Sequence, residues 1–305
     1  MNKLLTQRVV RHLALADGSH FEIAAGDEEA ATLVAQLGDA MQLPDTISAP
    51  VTAHGGYLCR ILVLSGTQKT VTDHPVQEAM TIGPPVVCTL ALHDHWGNRY
   101  VNLLHLSHVL ARAAQARGSM LIHGALAVRD GLGVILAAPG GTGKTTASRR
   151  LPAPWRSLCD DTTLVTRDSN DNYLAHPWPT WSRFIDGGPD GTWDVQRAVP
   201  LKGIFFLNRA PEDRAESVGA GQAVSLLIES ARQASMIKAP HQLIEEVRAQ
   251  HLERFINLCD LARNVPAHIL HISLTGAFWQ VLDQALSGTM MKMHSCLVKA
   301  VSISR

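Results

Sequence analysis

An excess of charge of either sign is missing from this chain: 27 lysines and arginines stand against 27 aspartates and glutamates, and the isoelectric point lies near 7.3. A balanced surface offers no basic excess for a nucleic-acid backbone or an anionic membrane, so no nucleic acid and no membrane is expected as the main partner. Aromatic residues are scarce at 5%, and no apolar run approaches the roughly 20 residues that cross a bilayer. Cys59, Cys88, Cys159, Cys259 and Cys296 are odd in number, far apart and without a CxxC pair. That usage fits reduced thiols and a cytoplasmic location, and it argues against a disulfide framework or a structural zinc site. The start, Met1-Asn2-Lys3-Leu4-Leu5-Thr6-Gln7-Arg8, turns charged before an apolar core develops, so no secretory signal is expected.

What is present is an ordinary globular composition, 46% hydrophobic over 305 residues, enough to bury one large core or two modest ones. His12 to Leu15 and His20 to Ile23 flank Ala16-Asp17-Gly18-Ser19, a hairpin signal. Asp27 is placed to cap a helix over 28–43, with Leu33, Val34, Leu37 and Met41 on one face and Pro44 as the stop. Strands are expected at 57–64 and 86–92, and a helix over 103–117 that ends at Gly118. These elements read as a small α+β module over residues 1–115. A second domain, over 116–305, carries the residues with chemical content.

Its central feature is Ala138-Pro139-Gly140-Gly141-Thr142-Gly143-Lys144-Thr145-Thr146, after the apolar run 133–137 and before a helical stretch. Glycines let the backbone bend so that several N–H groups point inward, and the following helix start adds partial positive charge where phosphate oxygens would sit. On this reading Gly140, Gly141, Thr142, Gly143, Lys144, Thr145 and Thr146 bind a nucleotide. Lys144 reaches the outer phosphates, Thr145 helps hold Mg²⁺, and Thr146 caps or packs the first helical turn.

Asp160 and Asp161 follow a short hydrophobic approach sixteen residues past Lys144. In phosphoryl transfer one carboxylate can hold Mg²⁺ while another takes the proton of an attacking hydroxyl; a solvated Asp-Asp turn is the alternative. Strands over 163–167 and 173–176 bracket an Asp/Asn-rich turn. The run Pro177-Trp178-Pro179-Thr180-Trp181-Ser182-Arg183 either lines a substrate cleft, with Arg183 on an anion, or covers core edges. A buried strand is expected over 201–207, helices over 221–232, 241–263 and 276–286, and a strand over 267–274 on which His268 and His271 face opposite sides. The tail from Ser287 to Arg305 has too little pattern to assign.

From Ile122-His123-Gly124 through 131–136, the glycine loop and Leu158-Cys159-Asp160-Asp161, the chain resembles HPr kinase/phosphorylase. The likeness spans about 118–210, and the segment 200–206 is similar to that family's Ile-Arg-Gly segment. Lys202 stands where the family has arginine and Pro200 where it has glutamate, so neither reverse phosphorolysis nor HPr as substrate is implied. The chain looks closer to the shorter HPr-kinase-like proteins of peptide-modification cassettes, among them lasso-peptide serine kinases and the SynChlorMet cassette member. The resemblance implies an α/β fold: a P-loop core of HPr-kinase type with a mixed sheet, preceded here by the small module. It implies Asp160 as general base, Asp161 as metal ligand and His123 as support beneath the loop. ATP and Mg²⁺ follow as cofactors, a small peptide or carrier protein as substrate, and a homo-oligomer as an open possibility. The expectation is phosphoryl transfer to a serine or threonine hydroxyl; the alternatives are a non-catalytic ATP-binding regulatory module and a small-molecule kinase.

Overall fold

The computed structural model describes residues 9–45, 57–65, 71–72, 86–90, 96–181, 191–234 and 244–287. Strands β1 (Val10–Ala14) and β2 (Ser19–Ala25) pair antiparallel around the Asp17-Gly18 turn. Gly18 takes a φ of +84°, which a glycine adopts without a Cβ penalty, and Asp17 Oδ1 accepts from Ser19 N at 2.8 Å. Helix α1 (Glu28–Met41) starts where expected. Asp27 Oδ1 accepts from Ala30 N at 2.8 Å as an N-cap, and its Oδ2 accepts from Ser65 N at 2.7 Å, tying the helix start to the end of β3 (Tyr57–Ser65). Strands β3 and β5 (Val86–Leu90) extend the sheet in parallel from β2, and β4 (Val71–Thr72) closes it antiparallel, giving the order β1-β2-β3-β5-β4. Helix α2 (Trp96–Gln115) begins earlier than the pattern of residues 103–117 indicated, and buries Tyr100, Leu103, Leu106, Leu110 and Ala114.

The second sheet has eight strands. β6 (Met120–Arg129) and β7 (Leu132–Ala137) form a hairpin whose turn residues Asp130 and Gly131 both take positive φ, as a tight primed turn requires. β8 (Arg156–Cys159) and β9 (Thr162–Arg167) pair with successive stretches of β6, and β10 (Tyr173–Trp178) pairs with β9. β11 (Val199–Arg209) lies parallel to β7 on one edge and to β13 (Ala267–Ile272) on the other, with β12 (Arg214–Ser217) outermost. Two residue pairs between β10 and the start of β11 complete a ring of pairings through β6, β7, β11, β10 and β9. The fold is mixed α/β.

Helices cover both faces. α3 (Lys144–Arg150) and α6 (residues 278–287) pack through Ala147, Phe278 and Leu282 onto Ala125, Val134, Leu136, Phe205 and Leu270. On the other face α4 (Ala220–Ala234) and α5 (Ile244–Asn264) belong to a larger apolar cluster that continues through α2 into the first sheet. Trp178 and Trp181 are core residues of that cluster, each 2% exposed, and Trp181 donates to Ser107 Oγ at 2.7 Å; they cover core edges and line no cleft. Arg183 and residues 288–305 lie outside the described residues. Ala16 N donates to His176 Nε2 at 3.3 Å, so the ring proton sits on Nδ1, which donates to Val195 O at 2.7 Å. That fully buried ring joins the first hairpin to the second sheet.

Candidate functional site

The loop leaves the buried end of β7 and enters α3. Gly141 and Gly143 take φ of +75° and +112°, where an L side chain is strained, and a Cβ on Gly140, Gly141 or Gly143 would meet nothing within 4 Å. Gly141 and Gly143 therefore serve backbone conformation, and among the described residues the space over the loop is open. Gly143 is the N-cap, without a side-chain cap, and Thr146 is exposed; the reading of Thr146 as a capping or packing residue is corrected. The exposed side chain packs against nothing, and a glycine N-cap leaves the first N–H groups of the helix open toward the space over the loop. Thr145 is half-buried and its carbonyl accepts from Ser148 Oγ at 3.0 Å.

Lys144 is 5% exposed, with its Nζ donating to Ala138 O at 2.8 Å and lying 3.9 Å from Asp161 Oδ1. Burial pulls its pKa down, against the opposing carboxylates of Asp161 and Asp160. Asp161 Oδ1 also meets His123 Nε2 at 2.9 Å. Burial by itself pushes the Asp161 carboxyl up, but the hydrogen bond with His123, the nearby Lys144 and a bond with Thr162 outweigh it and hold the acid below its usual range. An ionised carboxylate only accepts, so Nε2 carries the proton. The buried Nδ1 has no hydrogen-bond partner among the described residues.

Position comes from the sheet. β6 presents His123 opposite Thr162, the first residue of β9, so the imidazole and Asp161 fall side by side. Gly124 is required where β6 pairs with β7, opposite Ala137: a Cβ there would stand 2.6 Å from Ile135 Cγ2 and 3.2 Å from Leu136 O. The acid corner is pinned by Thr163 Oγ1 donating to Gly124 O at 2.8 Å and by Cys159 Sγ on Thr162 O at 2.9 Å. Asp160, 4% exposed, turns inward from the same corner, while the Asp161 side chain remains 40% exposed.

Asp161 thus meets both His123 and Lys144, Asp160 adjoins Lys144 electrostatically, and Thr145 follows one residue on. Carboxylate and hydroxyl oxygens suit a hard divalent cation, and an ammonium beside open backbone suits a polyanion. Two residues of this region were not singled out from sequence. Asn208 and Arg209 extend β11 past the end of β7 and, with Gly140, Gly141 and Thr142, line an open pocket of about 320 Å³. Arg209 donates to Gly141 O from Nη2 at 2.5 Å and to Thr142 O from Nε at 3.1 Å. Their only sequence signal was a polar end to an apolar strand. His268 and His271 do face opposite sides, the former stacked on Phe205 and the latter against Asn208.

Comparison with curated proteins gives no match. A family model described as SynChlorMet cassette protein ScmC matches residues 86–287, more than half of the chain, including the loop, both aspartates and the strands that carry them. No helix among the described residues is long and apolar enough to cross a membrane. The chain belongs to the family of the SynChlorMet cassette protein ScmC.

Proposed function

We propose that the protein is an HPr-kinase-like P-loop kinase, transferring the terminal phosphoryl group of ATP, with Mg²⁺, to a serine or threonine hydroxyl of a small peptide or carrier protein belonging to its cassette. The observation that carries this reading is the convergence on one loop of a buried lysine, an ionised aspartate held by a histidine, and open glycine backbone. The donor set fits the groups it would have to hold: Thr145 hydroxyl and Asp161 carboxylate for the metal, Lys144 and the loop N–H groups for phosphate oxygens. Bound Mg²⁺ supplies charge neutralisation on the phosphate oxygens.

The chain's own residues do the rest. Lys144 releases Ala138 O and turns to the phosphates. Asp160 accepts the proton as the acceptor hydroxyl oxygen bonds to the γ-phosphorus and the bond to the β-phosphate breaks, releasing ADP. His123 keeps Asp161 ionised and aimed. Such catalysis is positioning and charge compensation, with no covalent intermediate on the protein. The enclosure of Asp160, 4% exposed, favours a second reading, a regulatory module that binds ATP without turnover.

Incubation with Mg²⁺, terminally labelled ATP and the neighbouring cassette peptides separates the two. The kinase reading expects phosphate on a peptide serine or threonine, lost in Lys144→Ala and in Asp160→Asn, with ATP affinity kept in the latter. Tight ATP binding with no transfer to any acceptor establishes the regulatory module instead.

A further inference from the structure

We infer that the C-terminal end of β11 is the nucleoside subsite, where Asn208 reads an adenine edge and Arg209 fixes the adjoining loop. This rests on the nucleotide-binding reading above and adds to it which half of the ligand lies where. In open α/β sheets ligands sit at the carboxyl ends of parallel strands. β7 and β11 are parallel neighbours ending on the same side, and β11 runs on past the paired residues Phe206 and Ala137 to place Asn208 and Arg209 beside the loop. The loop divides this region. The acids and His123 come from the β6 and β8–β9 flank, where the reacting phosphate belongs, and the pocket lies on the opposite flank, toward β13. The non-reacting half of a nucleotide is left with the second flank.

Asn208 is oriented by a chain of groups behind it. Its Nδ2 lies 3.2 Å from His271 Nδ1, and His271 Nε2 faces Glu216 Oε1 at 3.4 Å. An amide nitrogen only donates, so Nδ1 accepts from the Asn208 amide and the ring proton belongs on Nε2, which lies on the Glu216 side without making a hydrogen bond among the described residues. One amide N–H and the carbonyl oxygen of Asn208 then remain for a ligand. That pair matches the N7 acceptor and N6 amino donor of adenine, whereas guanine offers acceptors at both N7 and O6 and leaves the Asn208 oxygen facing an oxygen. Arg209, with two of its five N–H groups on Gly141 O and Thr142 O, holds the near wall of the pocket and keeps three for the sugar or phosphate.

The test uses the full chain with Mg²⁺ and three probes, ATP, GTP and inorganic tripolyphosphate, titrated calorimetrically against wild type, Asn208→Ala and His271→Ala, with thermal melting to establish that each variant is folded. Wild type is expected to bind ATP about 10- to 100-fold more tightly than GTP. Asn208→Ala should lose most of that preference while its tripolyphosphate affinity stays within about threefold, and His271→Ala, which frees the amide to rotate, should lower the preference in the same direction. An unchanged ATP-over-GTP ratio in Asn208→Ala overturns the subsite alone. Equal losses for all three probes overturn it too, by making Asn208 a support of the loop. A wild-type chain that binds none of the three overturns the nucleotide reading itself, and this inference with it.

Discussion

His123 and Asp161 stand 38 residues apart in the chain and meet at 2.9 Å, imidazole Nε2 to carboxylate Oδ1. The contact converts a partly buried acid, which burial would drive toward its neutral form, into one ionised below the usual carboxylate range. Its consequences can be measured on the acid itself.

In His123→Ala the opposition to burial is weakened, so the Asp161 carboxyl titrates at higher pH than in wild type, a change read from its carbon chemical shift. Mg²⁺ affinity measured near pH 6 falls by about 10- to 100-fold, the usual cost of removing a group that orients a metal ligand. His123→Gln, which retains a donor, restores part of both. An Asp161 titration that does not move shows that the histidine does not govern this acid.

Lys144→Met tests whether the buried ammonium is there for stability. Loss of the bond to Ala138 O is offset by no longer burying a charge, so the urea-unfolding free energy without ligand stays within about 1 kcal/mol of wild type. Affinity for ATP collapses in the same variant. A loss above about 3 kcal/mol without ligand identifies the lysine as a structural strut instead.

Gly124→Ala places a methyl group against Ile135 and the Leu136 carbonyl, at the β6–β7 pairing where Gly124 also supplies the acceptor for Thr163. A destabilisation of about 1–3 kcal/mol is expected, as for an added carbon in a packed core. Gly131→Ala, at a turn with open space but a φ of +77°, is the companion variant. It costs stability through backbone strain alone and leaves ATP affinity untouched, whereas Gly124→Ala weakens it by shifting the acid corner.

His108 gives the chain an acid sensitivity away from the site. Both ring nitrogens are shut off from solvent, and burial, helped by His105 and Arg112, lowers its pKa to about 4. The folded state prefers the neutral ring, so the contribution of His108 is fully present above the unfolded value of 6.5 and is lost as pH falls toward 4. The loss amounts to about 3 kcal/mol over that range. His108→Gln should flatten the decline in melting temperature between pH 7 and pH 4.5. Burial also lowers His176, so part of the slope remains.

Local signals carried much of the architecture. Asp17-Gly18 marked a turn, Asp27 a cap, and the apolar run before Gly140 a strand, because each is settled within a few residues. The site was legible only in part. The glycine loop and the aspartate pair announce themselves by spacing, but Asn208 and Arg209 matter through the parallel pairing of β11 with β7, a contact between strands more than 60 residues apart that no local window contains. β12 was missed for a related reason, being a short charged segment that is extended only because β13 lies beside it. Trp178 and Trp181 left two readings open, a cleft lining or a cover for core edges, and only the tertiary packing that draws both indoles inside decides for the second.

The outermost position of β12 bears on how the protein behaves when crowded with copies of itself. A sheet flank offers bare N–H and C=O groups that another chain can zip onto, which is how ordered aggregates begin. Here that flank is four residues long and carries Arg214 and Glu216, paired at 2.7 Å and both exposed, so a second strand docking there would have to strip water from two charges for few hydrogen bonds in return. The strand at this end of the described sheet is thereby screened from the fibre-forming contacts that an apolar edge would invite.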